Sequence, residues 1–201
     1  MIEKKNPTIY LMCGKAKHGK DTFSAFLKKA YEDNGKKIIV TQLSKYIKYY
    51  AREMTGWDLS EETKPRELLQ QLGTSVIREY LQKDDLFINR MIDDIDVFSC
   101  FYDAIIISDV RLKKEIYDLK ASYPNAKVVH IIRPDFDNGL TEEQKQHKTE
   151  IDLDETQDTK IQISAVDKSK NTGSYNKTIA LYVSKPKIEF LAESDYSKIY
   201  V

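Results

Sequence analysis

The chain has 201 residues, of which 41% are hydrophobic and 32% are charged. This length suits one domain with a small inserted segment, and the composition is that of a soluble globular protein. Its 32 basic and 32 acidic side chains balance to zero net charge. A duplex-binding protein normally carries a basic excess, so bulk binding of nucleic acid is not expected.

No apolar run reaches transmembrane length, and the N-terminus lacks a signal-peptide core. We therefore expect a cytoplasmic protein without membrane contact, in the host cytoplasm if the chain is viral. Cys13 and Cys100 are the only cysteines. We interpret both as small buried hydrophobic side chains rather than as a disulfide.

Five short runs rich in Ile and Val predict β-strands, and the segments between them have helical patterns. The predicted strands are 8–13, 37–42, 104–109, 127–133 and 160–166. The predicted helices lie near 20–33, 44–56, 65–82, 84–101 and 112–122. The connections are long enough for parallel crossovers, so we predict a doubly wound, mostly parallel five-stranded α/β sheet. Ligands of such a sheet lie outside the carboxyl ends of its strands.

The first predicted strand leads into the loop Gly14-Lys-Ala-Lys-His-Gly-Lys20, and a helix follows. The two glycines permit backbone angles that turn several N–H groups inward, and the helix adds its positive N-terminal end. Lys20 brings a full charge that reaches the β- and γ-phosphates of a nucleotide. Strand, loop and helix together predict phosphate binding rather than an incidental glycine turn. We expect His18 to be a tolerated exposed side chain rather than a base.

Asp21 stands where the usual motif has Ser or Thr, and the hydroxyl comes one residue later, at Thr22. The carboxylate of Asp21 could offer Mg²⁺ a hard oxygen ligand. Alternatively, Asp21 only caps the helix start, where a negative charge is favoured. Thr22 could bond a phosphate oxygen or serve as a cap in the same way.

The third predicted strand ends in Ser108-Asp-Val-Arg111. An acid at a strand tip can orient Mg²⁺ or its waters, which makes Asp109 a candidate for this role. Arg111 lies on the same side of an extended chain and could hold an acceptor phosphate through both arms of its guanidinium. A structural pair between Asp109 and Arg111 is the alternative.

Polar side chains recur at intervals of four in the predicted helix 65–82, so they line one face. The polar face consists of Arg66, Gln70, Thr74 and Arg78, and the opposite apolar stripe consists of Leu69, Leu72, Val76 and Tyr80. The two guanidinium groups suit the phosphate of an acceptor, and the amide of Gln70 suits the edge of its base. Alternatively, these residues form an ordinary solvated face. Gly73 costs about 1 kcal/mol relative to Ala inside a helix, which indicates a break or a close approach.

Residues 134–159 are polar and interrupt the alternation of strands and helices. This segment suits a mobile lid or an ordinary solvated loop. Arg133 precedes it and could reach a transferring phosphoryl group or stack on adenine. His147 and Glu150 within it do not make a zinc site. The later run Asn171-Thr-Gly173 is a turn signal that either borders an adenine pocket or is a plain turn.

Taken in order, these segments resemble the phage-type deoxynucleoside monophosphate kinases, a branch of the P-loop nucleotide kinases. The matching segments, within about residues 8–180, are Gly19-Lys-Asp-Thr22, Arg66 to Gln70, Leu72-Gly-Thr74 with Arg78, Asp84-Asp-Leu-Phe87, Asp109-Val-Arg111 with Glu115, Ile132-Arg-Pro134, His147-Lys-Thr-Glu150 and Asn171-Thr-Gly173. The chain departs from the family pattern at 43–48, where only Lys48 matches, and at Phe87, which replaces a Trp. Both departures concern the acceptor side.

The resemblance implies transfer of the γ-phosphoryl group of ATP to a (deoxy)nucleoside monophosphate, with Mg²⁺ as cofactor. It implies one P-loop kinase domain over 1–201, with an acceptor-binding helical region at about 44–101 and a lid at about 134–159. The implied catalytic residues are Lys20, Arg111 and Arg133. The implied ATP-binding residues are Gly14, Lys15, Lys17, His18, Gly19, Lys20, Asp21, Thr22, Asn171 and Gly173. The implied acceptor-binding residues are Lys48, Arg66, Gln70, Thr74, Arg78, Arg111 and Glu150, and the implied metal ligands are Asp21, Thr22 and Asp109.

A homodimer is an expectation that rests on the resemblance alone. Two alternatives remain open at this point. Other small P-loop kinases with Gly-Lys-Asp loops phosphorylate different acceptors, such as phosphomevalonate, and a nucleotide-binding regulator without turnover would carry the same loop. The base and the sugar of the acceptor are not specified by these residues.

Overall fold

A β-sheet contains the most apolar runs of the chain. The computed structural model describes residues 3–132, 136–153, 160–165 and 179–183. Its strands are β1 (Thr8–Cys13), β2 (Ile38–Thr41), β3 (Ala104–Val110), β4 (Lys127–Ile132), β5 (Lys160–Ala165) and β6 (Ile179–Val183). Their order across the sheet is β2-β3-β1-β4-β5-β6, and β6 pairs antiparallel with β5 while the other pairs are parallel.

The parallel α/β sheet is confirmed, but the predicted count of five strands is wrong. Four parallel strands, β2-β3-β1-β4, form the part of the sheet that helices flank. Two further strands follow on the β4 side, so the described residues contain six. Strand β6 was not predicted, because its run Ile-Ala-Leu-Tyr-Val has only five residues.

Helices connect the strands on both faces of the sheet. They are α1 (Lys20–Asp33), α2 (Lys45–Thr55), α3 (Arg66–Gln70), a π-helix (Gln71–Tyr80), α4 (Leu86–Phe98), α5 (Lys113–Ser122), α6 (Glu142–Lys145) and α7 (Lys148–Ile151). The five predicted helices are present near their predicted places. The two short helices α6 and α7 lie inside the polar segment, where the sequence predicted a lid or a loop.

Side chains of the central strands alternate between two cores, as the period of a β-strand requires. Ile9, Leu11 and Cys13 of β1 face a core that also contains side chains of α4 and α5. Tyr10 and Met12 face a second, smaller core that includes a leucine of α1. Both faces of β1 are therefore buried, which explains why its sequence is apolar throughout instead of alternating.

The predicted helix 65–82 forms, but its second half adopts π-helical hydrogen bonding. Bonds from residue i to i+5 place more residues in each turn than an α-helix does, so the buried face shifts along the sequence. The predicted apolar stripe is consequently wrong beyond Leu72. Val76 is 40% exposed and Tyr80 is 84% exposed, whereas Gly73 and Ile77 are buried.

Gly73 lies in the π-helix at a close approach to α2. A Cβ atom at this position would lie 2.9 Å from Cδ1 of Ile47, which is closer than real Cβ contacts come. The glycine therefore lets the two helices pack against each other without displacing Ile47. This contact and the change of hydrogen bonding together account for a glycine in the interior of a helical segment.

The two cysteines are free thiols. Cys13 is buried, as predicted, whereas Cys100 is only partly buried, because it lies just beyond the end of α4 near the surface. Within the ranges that the structure describes, no helix is long and apolar enough to cross a membrane.

Candidate active site

The loop between β1 and α1 turns sharply at two glycines. Gly14 has a φ of 140° and Gly19 a φ of 102°, both angles that L side chains rarely adopt. A Cβ atom on Gly14 would lie 2.5 Å from the carbonyl oxygen of Ile131, so β4 presses directly on the start of the loop. Lys17 also has a positive φ, of 61°. These angles fold the backbone into a tight turn at the carboxyl end of β1, as the loop motif requires.

The side chain of Lys20 is buried in this loop. Its Nζ donates hydrogen bonds to the carbonyl oxygens of Gly14 at 2.7 Å and Lys15 at 2.8 Å. Burial, followed by the nearby charge of Arg111, lowers the pKa of Lys20 to about 8. Glu150 and two aspartates oppose this shift. The amine therefore lies inside the loop, close to charges from its own helix, from the end of β3 and from α7.

His18 contradicts the expectation of an exposed side chain, since it is only 9% exposed. Its ring meets Phe136 edge to face, with 5.9 Å between the ring centroids. A Cβ atom on Gly139 would come within 3.6 Å of the Nζ of Lys17. Residues 136–139 thus pack against the loop, which explains the burial of His18.

Glu150 of α7 connects three elements of the site. One carboxylate oxygen accepts a hydrogen bond from the backbone N–H of Ala16 in the loop, at 3.0 Å. The other oxygen pairs with the guanidinium of Arg111, just beyond β3. Glu150 is 8% exposed, whereas the Arg111 side chain is 30% exposed, so the two interactions are partly shielded from solvent. The polar segment therefore closes on the loop and on the end of β3.

Asp109 does not pair with Arg111. Its two carboxylate oxygens accept hydrogen bonds from the backbone N–H groups of Leu43 at 2.7 Å and Ser44 at 3.0 Å. The alternative of a structural pair between Asp109 and Arg111 is therefore wrong. Asp109 instead ties the tip of β3 to the start of α2, and Arg111 is directed to Glu150.

Arg78 of the π-helix has three partners. Its Nη1 donates to the carbonyl oxygen of Gly73 at 2.9 Å, and its guanidinium carbon lies 5.5 Å from the centroid of the Phe87 ring. Its Nη2 lies 3.6 Å from an oxygen of Glu115, a residue of the first turn of α5. Phe87 is 2% exposed and stacks on Tyr46 at an interplanar angle of 10°. The buried ring of Phe87 therefore packs against the guanidinium of Arg78 instead of facing solvent.

Lys48 belongs to a chain of polar contacts beside Asp109. Its Nζ donates to Gln42 at 2.6 Å, and the amide nitrogen of Gln42 donates to Ser108 at 3.3 Å. Burial lowers the pKa of Lys48, and the charge of Asp109 opposes this effect. A groove of about 420 Å³ adjoins these groups, lined by Asp21, Ser24, Ala25, Lys28, Val40, Thr41, Gln42, Lys45 and Ser108.

The remaining predicted residues occupy less constrained positions. Asp21 and Thr22 are exposed in the first turn of α1, where Gly19 is the N-cap and no side chain makes a capping hydrogen bond. Arg66 is exposed and pairs with Glu61 at 3.3 Å, while Gln70 is exposed and Thr74 is half-buried. The structure thus brings Arg78 near the end of β3 but leaves Arg66 at the surface. Arg133, Asn171 and Gly173 lie outside the described residues.

Two contributors were not assigned from the sequence. Glu115 accepts hydrogen bonds from the backbone N–H groups of Arg111 at 2.8 Å and Leu112 at 3.1 Å, in addition to its contact with Arg78. Phe136 covers His18. An acid in the first turn of a helix was a visible signal for Glu115, whereas nothing local to Phe136 indicated its contact.

A scan against protein-family models matches residues 28–168 of this chain to the family described as deoxynucleotide monophosphate kinase. A search of the curated proteins found no match. The family match covers more than half of the chain and begins after the phosphate-binding loop, so the loop and Lys20 are an independent observation. The chain therefore belongs to the deoxynucleotide monophosphate kinase family and is a phosphotransferase that moves a phosphoryl group from ATP to a deoxynucleoside monophosphate.

Proposed function

We propose that the loop 14–22 binds the triphosphate of ATP and that Lys20 is its principal charge. The position of Lys20 supports this assignment best, because its amine lies inside the loop, bonded to the carbonyl oxygens of Gly14 and Lys15. A phosphate oxygen is a stronger acceptor than a carbonyl oxygen. The amine would thus exchange these carbonyl contacts for phosphate oxygens when ATP binds. The N-terminus of α1 adds its positive end to the same place.

The acceptor phosphate, in this proposal, meets Arg111 and Arg78. Arg111 pairs with Glu150, which also bonds to the loop. Arg78 lies beside Glu115, which also bonds to the backbone just after β3. Each guanidinium has five N–H donors in a planar fork, so each can keep its protein partner and still bind a phosphate oxygen. Lys48 lies next to Asp109 and adds a further donor on the same side. The more distant parts of the acceptor would contact Thr74, Gln70 and Arg66.

The donor atoms fit a Mg²⁺ ion that is shared with the substrate. Within the described ranges, no group of three or more His, Cys, Asp or Glu side chains could hold a metal ion. Mg²⁺ in kinases is usually held by one or two carboxylates together with substrate phosphates, so a complete protein cage is not required. We assign Asp21 and Thr22 as the residues that would hold the ion, with Asp109 acting through water. Bound Mg²⁺ would neutralise charge on the β- and γ-phosphates.

The reaction breaks the bond between the γ-phosphorus and its bridging oxygen and forms a bond to an oxygen of the acceptor phosphate. This oxygen is already anionic, so no general base is needed. The work of the protein is to position the two phosphates and to stabilise the charge between them. Lys20 and Arg111 flank that position in our assignment, and Arg133 is proposed as a further charge. ADP and the nucleoside diphosphate then leave.

We propose that the segment 134–159 acts as the lid. Two contacts support this role: Phe136 covers His18, and Glu150 bonds to the loop at Ala16. A lid that closes in this way excludes water, which would otherwise accept the phosphoryl group. The helical segment 44–101 would form the acceptor region of one P-loop kinase domain. The phage origin, the homodimer and the cytoplasmic setting stay predictions of the sequence.

Turnover of a monophosphate panel tests this proposal. Purified protein with Mg²⁺ and ATP should release ADP only when dGMP, dTMP, dCMP, dAMP or a ribonucleotide is present. Lys20→Ala should abolish this release, whereas Lys29→Ala, on an exposed face of α1, should leave it intact. Monophosphate-dependent ADP release that survives Lys20→Ala would refute the loop assignment. Of the two alternatives, a phosphomevalonate-like acceptor and a non-catalytic regulator, neither is favoured by the family match.

A further inference from the structure

Glu115 is a buried carboxylate that contacts both of the proposed phosphate-binding arginines. Its side chain is 9% exposed and it stands in the first turn of α5. Burial raises its pKa, while the two backbone N–H groups and Arg78 act in the opposite direction. A buried charge is expensive unless it is paired and hydrogen-bonded. The partners of this carboxylate must therefore offset the cost of burying its charge.

The two oxygens of Glu115 serve different partners. One oxygen accepts from the backbone N–H of Arg111 at 2.8 Å and of Leu112 at 3.1 Å. The other lies 3.6 Å from Nη2 of Arg78. One side chain therefore fixes the backbone of one arginine and the guanidinium of another, although 33 residues separate Arg78 from Arg111 in sequence.

The π-helix supplies the opposite restraint on Arg78. Its Nη1 donates to the carbonyl oxygen of Gly73, five residues earlier, at 2.9 Å. With Glu115 on one arm and Gly73 on the other, the guanidinium plane is held over the Phe87 ring. One of its five N–H donors makes the hydrogen bond to Gly73, while the contact with Glu115 is an ion pair at 3.6 Å, so further donors remain for a ligand.

We propose that Glu115 is a positioning residue that sets the separation and orientation of Arg78 and Arg111, so that both converge on the acceptor phosphate. This inference rests on the proposed roles of the two arginines. It assigns Glu115 no contact with substrate. A single fixed carboxylate places both forks before the substrate arrives, so little ordering of these long side chains remains to oppose binding.

Glu115→Gln separates this role from a purely structural one. The amide oxygen of Gln still accepts the N–H groups of Arg111 and Leu112, but its NH₂ group faces Arg78 and cannot pair with it. Loss of a charge-assisted contact should raise the KM for the monophosphate about 10- to 100-fold, with the KM for ATP changed less than about twofold. Asp118→Asn removes an exposed carboxylate from the same helix, where it pairs with Lys114, and should change neither value.

A double-mutant cycle provides the decisive measurement. If Glu115 acts through Arg78, Glu115→Gln should have almost no further effect on the monophosphate KM in an Arg78→Ala background. Should Glu115→Gln fold poorly, Glu115→Asp supplies the second test, since it keeps the charge but shortens the reach of the carboxylate towards Arg78, and it should raise the KM for the monophosphate more than the KM for ATP. Additive effects in the cycle, or equal rises in both KM values, would overturn the proposal. If Arg78→Ala and Arg111→Ala leave the monophosphate KM unchanged, the proposed function of those arginines fails instead.

Discussion

Glu150 accepts a hydrogen bond from the backbone N–H of Ala16 across 134 residues of sequence. This contact joins α7 to the phosphate-binding loop, and the second oxygen of Glu150 orients Arg111. The proposed lid, donor loop and acceptor arginine therefore share one carboxylate. Because this carboxylate is buried, a change at Glu150 affects all three together.

Glu150→Gln should lower kcat/KM for the monophosphate by about 10- to 100-fold, the range expected for a lost charge-assisted hydrogen bond. The Gln oxygen still accepts from Ala16, but the amide nitrogen repels Arg111. Steady-state kinetics at saturating ATP measures the effect. Glu143→Gln, on the exposed surface of α6, is the matched control and should behave as wild type. Unchanged activity in Glu150→Gln would contradict the role of Glu150 in orienting Arg111.

The pKa of Lys20 predicts how ATP use depends on pH. In the free enzyme the amine loses its proton as pH rises through about 8. The value of kcat/KM for ATP should therefore stay level below this pH and fall about tenfold per unit above it, since only the charged amine attracts phosphate. Lys20→Arg keeps its charge to far higher pH. The value of kcat/KM for ATP in Lys20→Arg, even if it is lower than in the wild type, should remain constant up to about pH 10. If this value falls above about pH 8 in both proteins, a group other than Lys20 is responsible for the titration.

The same lowered pKa has the opposite effect on stability. Between about pH 8 and 10.5 the unfolded chain keeps the Lys20 proton that the folded chain has released. The unfolded state then binds more protons, so the contribution of this residue to the free energy of unfolding rises with pH in that window. Below about pH 8 the amine is charged in the folded state as well, and the burial of this charge lowers the free energy of unfolding. Lys20→Met should accordingly be more stable than wild type in urea at about pH 7, and this gain should shrink towards about pH 10.

Gly14→Ala should destabilise the protein by about 3 kcal/mol or more, because its Cβ would meet a carbonyl oxygen and its φ is closed to Ala. Gly35→Ala is the matched control, since Gly35 also has a positive φ, of 69°, but its Cβ would meet nothing within 4 Å. That change should cost only about 1 kcal/mol. Urea denaturation of both variants compares the two costs. Similar losses would mean that the contact between Gly14 and Ile131 is relaxed in solution.

Asp21→Asn separates the two interpretations of Asp21. Asp21 is the second residue of α1, after the N-cap Gly19, so Asn in its place loses only the charge interaction with the helix dipole, worth at most about 1 kcal/mol, and brings no charge to a metal. If Asp21 helps to hold Mg²⁺, the Mg²⁺ concentration for half-maximal activity should rise about tenfold or more, with little change in unfolding free energy. Glu32→Gln, at the far end of α1, should leave the Mg²⁺ dependence unaltered. An unchanged Mg²⁺ requirement in Asp21→Asn would exclude the metal role, so Asp21 would act only through its charge at the start of α1.

Local patterns in the sequence predicted the turn of the loop between β1 and α1, whereas its role in binding ATP stays a prediction. The spacing of Gly14, Gly19 and Lys20 after an apolar run predicts a turn with an inward lysine, and α1 begins and ends as expected. The strands were found because buried parallel strands are continuously apolar. These features depend on neighbours within a few residues, which a sequence displays directly.

The remaining features depend on distant contacts. His18 is buried by Phe136, and Glu150 bonds to Ala16, although more than 100 residues separate each pair. The predicted stripe was wrong at its end because the helix changes its hydrogen-bonding period, which the spacing of apolar residues did not reveal. Asp109, close to Arg111 in sequence, finds its partners on another element. These roles were therefore visible only after the chain had folded.

The buried amine of Lys20 has one further consequence, for covalent chemistry. A pKa of about 8, compared with 10.5 for an ordinary lysine, makes the unprotonated form far more abundant at neutral pH in the free protein. An unprotonated amine is a nucleophile. A small acylating or aldehyde reagent would therefore find a reactive partner at this position in the free protein, whereas the phosphates of bound ATP would favour the protonated amine and oppose the labelling.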